Sequence, residues 1–116
     1  MTLTQFLSTL SSQPDTIEFD DTMAVIDQYY TFTPTQFTNG DLINEAGQNN
    51  GSCKIFAFGQ HHHLSEQHTL ACFGRYYRED VRLNPSGTDH QNIRQFMRTG
   101  WAGIHFEHSP LADKGT

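Results

Sequence analysis

The stretch 30–58, YTFTPTQFTNGDLINEAGQNNGSCKIFAF, decides how this chain folds, because turn residues, amide side chains and a cysteine are concentrated in it. The triplets NGD at 39–41 and NNG at 49–51 are typical of tight turns, since Asn and Gly tolerate positive φ. The preceding segment 31–37 is rich in β-branched and aromatic residues, but Pro34 cannot donate a ladder hydrogen bond. The sequence therefore predicts an extended arm or edge strand followed by two turns.

The first thirty residues predict two helices. Thr2 and Gln5 form a capping-box pattern, and apolar residues follow at helical spacing, so we expect the first helix from about Leu3 to Ser11. A second helix is predicted next, with Glu18, Asp20 and Asp21 in its first turn, where the helix dipole favours carboxylates. Its apolar stripe consists of Phe19, Met23, Ile26 and Tyr30.

Two helices are predicted between residues 52 and 81. Ser52 is placed to cap a short apolar helix over 53–58, although so short a run also fits a buried strand. Ser65 is placed to cap an amphipathic helix that continues to Val81, with apolar residues and arginines on opposite faces. These residues are Leu70, Phe73, Tyr77 and Val81 on one face, and Arg75, Arg78 and Arg82 on the other.

A fifth helix and a strand are predicted near the C-terminus. Thr88 and Gln91 form a second capping-box pattern, and Gly100 is placed to end the helix. Residues 104–106 alternate in polarity, which indicates a short strand that pairs with 31–37. The predicted core face of the helix carries Ile93, Phe96 and Met97, with Trp101 as a further candidate.

The chain as a whole predicts an α+β, mainly α, fold. We expect about five helices with a small two-stranded β element, in a single domain over residues 1–116. Nine Phe, four Tyr and one Trp indicate a core made of a few large rings, each of which buries much apolar area.

The net charge of −6 is unevenly distributed, since residues 1–50 contain seven acidic residues and no Lys or Arg. An acidic total disfavours nucleic acid and anionic membranes as partners. We expect the acidic residues to form either a solvated face or ion pairs with the later arginines. In the second case Asp20, Asp21 and Asp27 would be neutralised by Arg75, Arg78 and Arg82.

The two cysteines, Cys53 and Cys72, both fall in apolar helical patterns, so no disulfide framework is expected. No apolar run approaches the roughly 20 residues that span a bilayer, and the N-terminus lacks the features of a secretory signal. We therefore expect a soluble protein without membrane insertion and without a cleaved signal peptide.

A histidine cluster is the first candidate for chemistry, because imidazole is a common ligand of transition metals. The candidates are His61, His62, His63 and His68. Neighbouring histidines in a loop point in different directions, and no HExxH or paired-cysteine spacing accompanies them. We therefore interpret the histidine segment as a solvent-exposed linker, and no metal or cofactor is expected.

Cys53 is the candidate nucleophile, because a thiol at a helix N-terminus has a lowered pKa and Asn44 or Glu45 could assist a histidine there. No local signature of a thiol hydrolase surrounds it, so a small buried core residue is the favoured interpretation.

Polar residues on either side of the second turn could form an oxygen-lined site for a cation or a carbohydrate. The candidates are Asn44, Glu45, Gln48, Asn49 and Asn50. They lack the spacing of a calcium loop, and such residues also hydrogen-bond their own backbone in turns. Both interpretations remain open at this point.

Three strings resemble the HopJ type III effector family: DDTMAVIDQYYTFTPTQFTNGDLINEAGQNNGSCKIFAF from Asp20, LACFGRYYREDV from Leu70 and FMRTGWAGIHF from Phe96. The resemblance covers nearly the whole chain. It implies a bacterial protein delivered by a type III secretion system, and it brings no catalytic residue and no cofactor. The triple histidine after FAFGQ departs from the family's pattern.

The sequence and the resemblance together favour a non-catalytic protein-interaction module with a host or bacterial protein as partner. The alternative is a small cysteine-dependent enzyme, or a housekeeping protein, with a pocket around Cys53. The expected location is the bacterial cytoplasm or the route of type III secretion. Six of the first twelve residues are Ser or Thr and none has a charged side chain, which suits a type III leader.

Overall fold

The computed structural model describes residues 1–114 and has the predicted mainly helical α+β fold. Five α-helices, one π-helix and five short strands follow along these residues. The α-helices are α1 (Leu3–Ser12), α2 (Phe19–Tyr29), α3 (Asn50–His61), α4 (Glu66–Ala71) and α5 (Gln91–Thr99), and the π-helix is Tyr76–Val81. The strands are β1 (Tyr30–Phe32), β2 (Phe37–Asn39), β3 (Leu42–Asn44), β4 (Ile104–Phe106) and β5 (Leu111–Asp113).

The strands form two small antiparallel sheets instead of the single two-stranded element that the sequence predicted. In the first sheet β2 lies between β3 and β4, with Phe37 opposite both Asn44 and Phe106. In the second, β1 pairs with β5, and Tyr30 lies opposite Asp113. The strand at 104–106 therefore pairs with the end of the predicted arm. Pro34 lies between β1 and β2, where its missing N–H removes no ladder hydrogen bond.

The core is built from aromatic rings, as the composition predicted. Phe56 of α3 is fully buried, and its ring centroid lies 4.9 Å from that of Phe96, 5.7 Å from Phe73 and 6.1 Å from Phe37. Phe56 thus joins helices and sheet through one aromatic cluster. Aromatic pairs of this kind stabilise the fold by more than their buried area alone provides.

The first two helices match their predictions closely. Thr2 Oγ1 accepts from the backbone nitrogen of Gln5, and the Gln5 side chain accepts from the Thr2 nitrogen, so the predicted capping box is present. The α2 helix starts in a similar way, since the Glu18 nitrogen donates to Asp21 Oδ2 at 3.0 Å. The chain then passes directly from α2 into β1.

The third helix begins earlier than predicted. Asn49 has a left-handed conformation (φ 53°), and α3 starts at Asn50, so the triplet at 49–51 opens a helix and does not form a free turn. Ser52 therefore lies inside α3 and is not its N-cap. The helical alternative for 53–58 is confirmed.

The single amphipathic helix predicted from Ser65 to Val81 is wrong. Ser65 does cap α4, but α4 ends at Ala71, and a π-helix follows after a break at Gly74. Gly74 has φ 60°, and a Cβ built on it would lie 2.5 Å from the backbone nitrogen of Phe19. The break exists because the start of α2 packs directly against the backbone at this residue.

The fifth helix differs from its prediction in its start and in its buried face. It begins at Gln91 after a left-handed His90, and the Gln91 side chain donates to the carbonyl oxygen of Thr88 in place of a capping box. Gly100 ends the helix as predicted. Met97 is 48% exposed and not in the core. The buried face instead includes three polar residues, Asn92, Arg94 and Gln95.

We predict that Gly74→Ala destabilises the protein by about 2 kcal/mol or more. The alanine would have to adopt a positive φ, and its Cβ would also clash with the Phe19 backbone. Gly47→Ala is the matched control, since Gly47 also has positive φ (91°) but nothing lies within 4 Å of its added Cβ. The control should cost only about 1 kcal/mol. Urea unfolding measures both values, and equal losses would show that the contact with α2 does not cause the helix break.

Candidate functional site

Cys53, the predicted nucleophile, lies in the first turn of α3 with 1% of its surface exposed. Burial raises the pKa of its thiol to about 11, and a backbone hydrogen bond at Thr35 offsets this only in part. The predicted assisting residues have other surroundings: the Asn44 amide donates to Asn92, and Glu45 is exposed. The surroundings are those of a protonated core thiol.

The histidines predicted as metal candidates lie at the end of α3 and in α4. His62 Nε2 is hydrogen-bonded to the Tyr30 hydroxyl at 2.6 Å, and burial lowers the pKa of His62. His61 is exposed, 3.9 Å from Asp113, and His63 has a left-handed backbone conformation. Within residues 1–114, the ligand atoms of His61, His62, His63 and His68 do not come together as a set of three within 4.8 Å.

Two of the predicted polar binding residues belong to an amide network that we call the asparagine network: Asn39, Asn44, Asn49 and Asn92. Asn49 is exposed, and the other three are buried. Asn39 Nδ2 donates to the carbonyl and Oδ1 of Asn92, at 2.9 and 3.0 Å. Asn44 and Asn92 each donate to the other's Oδ1, at 3.1 and 2.9 Å. Asn49 donates to Asn44 Oδ1 at 2.7 Å. These bonds fix the β2–β3 hairpin to the N-terminal ends of α3 and α5.

A concavity of about 460 Å³ lies beside the asparagine network. Its lining includes Asn49 and Asn92, the first turns of α3 and α5, and the aromatic side chains Phe19, Phe73 and Tyr76. Glu45, Gln48 and Asn50, the remaining predicted binding residues, are exposed and outside this lining. The structure therefore joins Asn44 to Asn49 by a hydrogen bond, whereas the Glu45 nitrogen donates to the Gln48 side chain at 3.1 Å within the turn.

A second concavity, of about 410 Å³, lies between the C-terminal end of the π-helix and the exposed side of α5. We call it the α5 groove, and it is lined by Val81, Arg82, Pro85, Gly87, Gln91, Arg94, Met97 and Arg98. Leu83, which follows Arg82, is 72% exposed. The groove thus combines apolar surface with three of the chain's five arginines.

Two of these arginines, Arg82 and Arg98, are exposed. Arg82 lies 5.8 Å from the centroid of the Tyr77 ring, and Arg98 donates to the side-chain oxygen of Gln95. Neither forms an ion pair within the part of the chain that the structure describes. Arg94, in contrast, has a buried side chain bound to Asp89.

The predicted ion pairs of the acidic helix form with different acids. Glu18 is the residue that binds Arg75 and Arg78, at 3.0 and 2.5 Å. Asp27 pairs with Lys54 at 2.9 Å and not with an arginine. Asp21 instead accepts from the Glu18 backbone, and Arg82 lies over Tyr77. Among the acidic residues at α2, arginines from the second half of the chain therefore pair with Glu18 and not with Asp20, Asp21 or Asp27 in the described residues.

Sequence reasoning did not identify Asn39, Asn92, Met97 or Arg98 as candidate site residues. Asn92 lies four residues before Phe96, on the face of α5 that a helical repeat buries. A polar residue at such a position was the signal for a buried hydrogen bond. Met97 was assigned to the core because it lies four residues after Ile93, on the predicted apolar face of the helix.

In the described residues, no helix has the length and apolar character required to cross a membrane. No curated protein sequence matches the chain significantly.

The chain is similar to a crystal structure of an unknown function protein, VPA0580, with a TM-score of 0.97 and 61% sequence identity. The similarity covers 98% of this chain and 95% of the other. Residues 3–111 match the model of the family described as HopJ type III effector protein. The chain therefore belongs to the HopJ type III effector protein family.

Proposed function

We propose that this protein is a non-catalytic interaction module that binds an acidic, apolar segment of a partner protein in the α5 groove. The observation that carries the proposal is the groove itself: exposed Met97 lies there with Arg82 and Arg98, which have no ion pair among the described residues. The chain otherwise has an acidic balance, so this concentration of cations is local.

The chemistry of the groove selects the kind of partner. Apolar surface combined with Arg suits the centre of a protein interface, where Met and Arg are enriched. Arginine side chains favour carboxylates because the guanidinium matches their geometry. An amphipathic helix with leucines on one face and glutamates beside them would satisfy both features.

The cysteine-dependent alternative has less support. A buried thiol whose pKa is raised to about 11 carries almost no thiolate near neutral pH. Cys72, the second cysteine, is buried as well. An interaction function needs neither thiol.

The membership of the HopJ family supports a bacterial origin and delivery by a type III secretion system as parts of the same proposal. A secreted effector acts on a partner outside the cell that made it, which agrees with a binding function. After delivery the partner would be a host protein, and before delivery the same groove would be open to a protein of the bacterium.

We predict that an 18-residue helical peptide with leucines at helical spacing and glutamates between them binds the protein with a Kd on the order of 10 μM. The same peptide with lysine in place of each glutamate should not bind, because Arg82 and Arg98 repel it. Fluorescence anisotropy measures both, and a rise in salt should weaken the first.

The matched variants for this test are Met97→Glu and Ile43→Glu. Both residues are exposed and apolar, but Ile43 lies on β3 outside the groove. Met97→Glu should weaken binding at least tenfold and Ile43→Glu should leave it unchanged. Equal effects of the two variants, or equal binding of the lysine peptide, would contradict the proposal.

We also predict that iodoacetamide modifies Cys53 of the native protein roughly 100-fold more slowly than a free-thiol peptide at pH 7.5. The reason is the raised pKa, about 11 against the ordinary 9.0, which lowers the thiolate fraction by about that factor. Mass spectrometry of digested protein locates the label, and urea-unfolded protein is the control. Modification of native Cys53 as fast as the peptide would favour the cysteine-dependent enzyme.

A further inference from the structure

A cluster of one imidazole and two carboxylates lies where the π-helix meets the start of α5. His90 Nε2 is 2.9 Å from Asp80 Oδ2 and 3.9 Å from Asp89 Oδ2. One ligand atom from each residue lies within 4.8 Å of the other two, and this is the one such set of three or more in residues 1–114. We propose that Asp80, Asp89 and His90 bind a divalent transition-metal ion.

The separations fit the size of such a site. Zinc is bound by His nitrogen at about 2.0–2.1 Å and by carboxylate oxygen at about 2.0–2.2 Å, so the ligand atoms of a tetrahedral site lie roughly 3.3 Å apart. The two separations from Nε2, 2.9 and 3.9 Å, lie on either side of that value. Shifts of under about 1 Å therefore bring the three atoms onto one ion.

Neighbouring side chains hold the ligands in place. The buried Arg94 donates to Asp89 Oδ1 at 2.6 Å and to the Asp89 carbonyl at 2.6 Å, which leaves Oδ2 on the side of His90. The His90 ring stacks on Tyr76, with centroids 5.1 Å apart and planes at 30°. Support of this kind, from outside the ligands themselves, is what orients metal-binding side chains in proteins.

The ligand set also indicates the class of metal. One imidazole with two carboxylates suits zinc, manganese or nickel better than magnesium or calcium, which take oxygen ligands. Asp80 lies in a π-helix, an element that occurs often at functional sites. Both carboxylates are exposed, so solvent or a partner's side chain can occupy the remaining coordination position.

A bound ion would have a definite structural effect. It would join the π-helix, through Asp80, to the residue that precedes α5, His90, beside the concavity of about 460 Å³ that His90 also lines. The existing contacts, a hydrogen bond and a ring stack, are weaker than metal coordination. Metal binding should therefore stabilise this junction against local opening.

Isothermal titration with zinc chloride at pH 7.5 tests the site, in a background with His61→Asn, His63→Asn and His68→Asn so that the exposed histidine cluster does not contribute. We expect one equivalent with a Kd on the order of 10 μM. Asp80→Asn and His90→Gln should each weaken binding at least tenfold. Asp41→Asn, an exposed carboxylate in the β2–β3 turn, should leave it unchanged.

Paramagnetic broadening by Mn²⁺ in the unmutated protein gives a second measurement that does not depend on variants that fold. Amide resonances of residues 79–81 and 89–91 should broaden at substoichiometric Mn²⁺, before those of 61–63. A Kd weaker than about 1 mM, zinc binding that survives both Asp80→Asn and His90→Gln, or broadening elsewhere first would overturn the assignment.

Discussion

The asparagine network is the constraint on which the rest of the structure depends. Asn92 lies in the first turn of α5. Every hydrogen bond of the network that links the β2–β3 hairpin to this helix involves the Asn92 side chain or carbonyl. An unpaired buried amide group costs about 1 to 3 kcal/mol, and among the described buried side-chain atoms only Asn39 Oδ1 lacks a partner. The network therefore specifies one register for the hairpin and one position for the start of α5.

That position matters because α5 carries each of the surfaces to which a function is assigned. His90 and Asp89 precede its first turn, Asn92 anchors it, and Met97 and Arg98 present the groove one to two turns later. A rotation of the helix by one residue would turn its side chains by about 100° and move all of these groups together. The hydrogen bonds of Asn92 prevent this, while Phe96 supplies apolar packing that tolerates small shifts.

The sequence predicted elements where local chemistry dominates and missed features that depend on contacts over long distances. The Thr2–Gln5 capping box and the end of α5 at Gly100 are local and were predicted correctly. The break at Gly74 depends on the backbone of Phe19, 55 residues away, and no periodicity reveals that. Among the site residues, Asn44 and Asn49 were named from turn chemistry, but their partner Asn92 was not, because helical spacing alone assigns such a position to the apolar core.

A double-mutant cycle between Asn44 and Asn92 tests the central claim most directly. Urea unfolding of Asn44→Ala, Asn92→Ala and the double variant gives the coupling free energy between the two amides, which donate to each other's side-chain oxygens. A coupling of about 1 to 2 kcal/mol is expected, since each single variant already removes both hydrogen bonds between the two amides. Losses of stability that add to within about 0.3 kcal/mol would contradict it and would show that the network does not act as one unit.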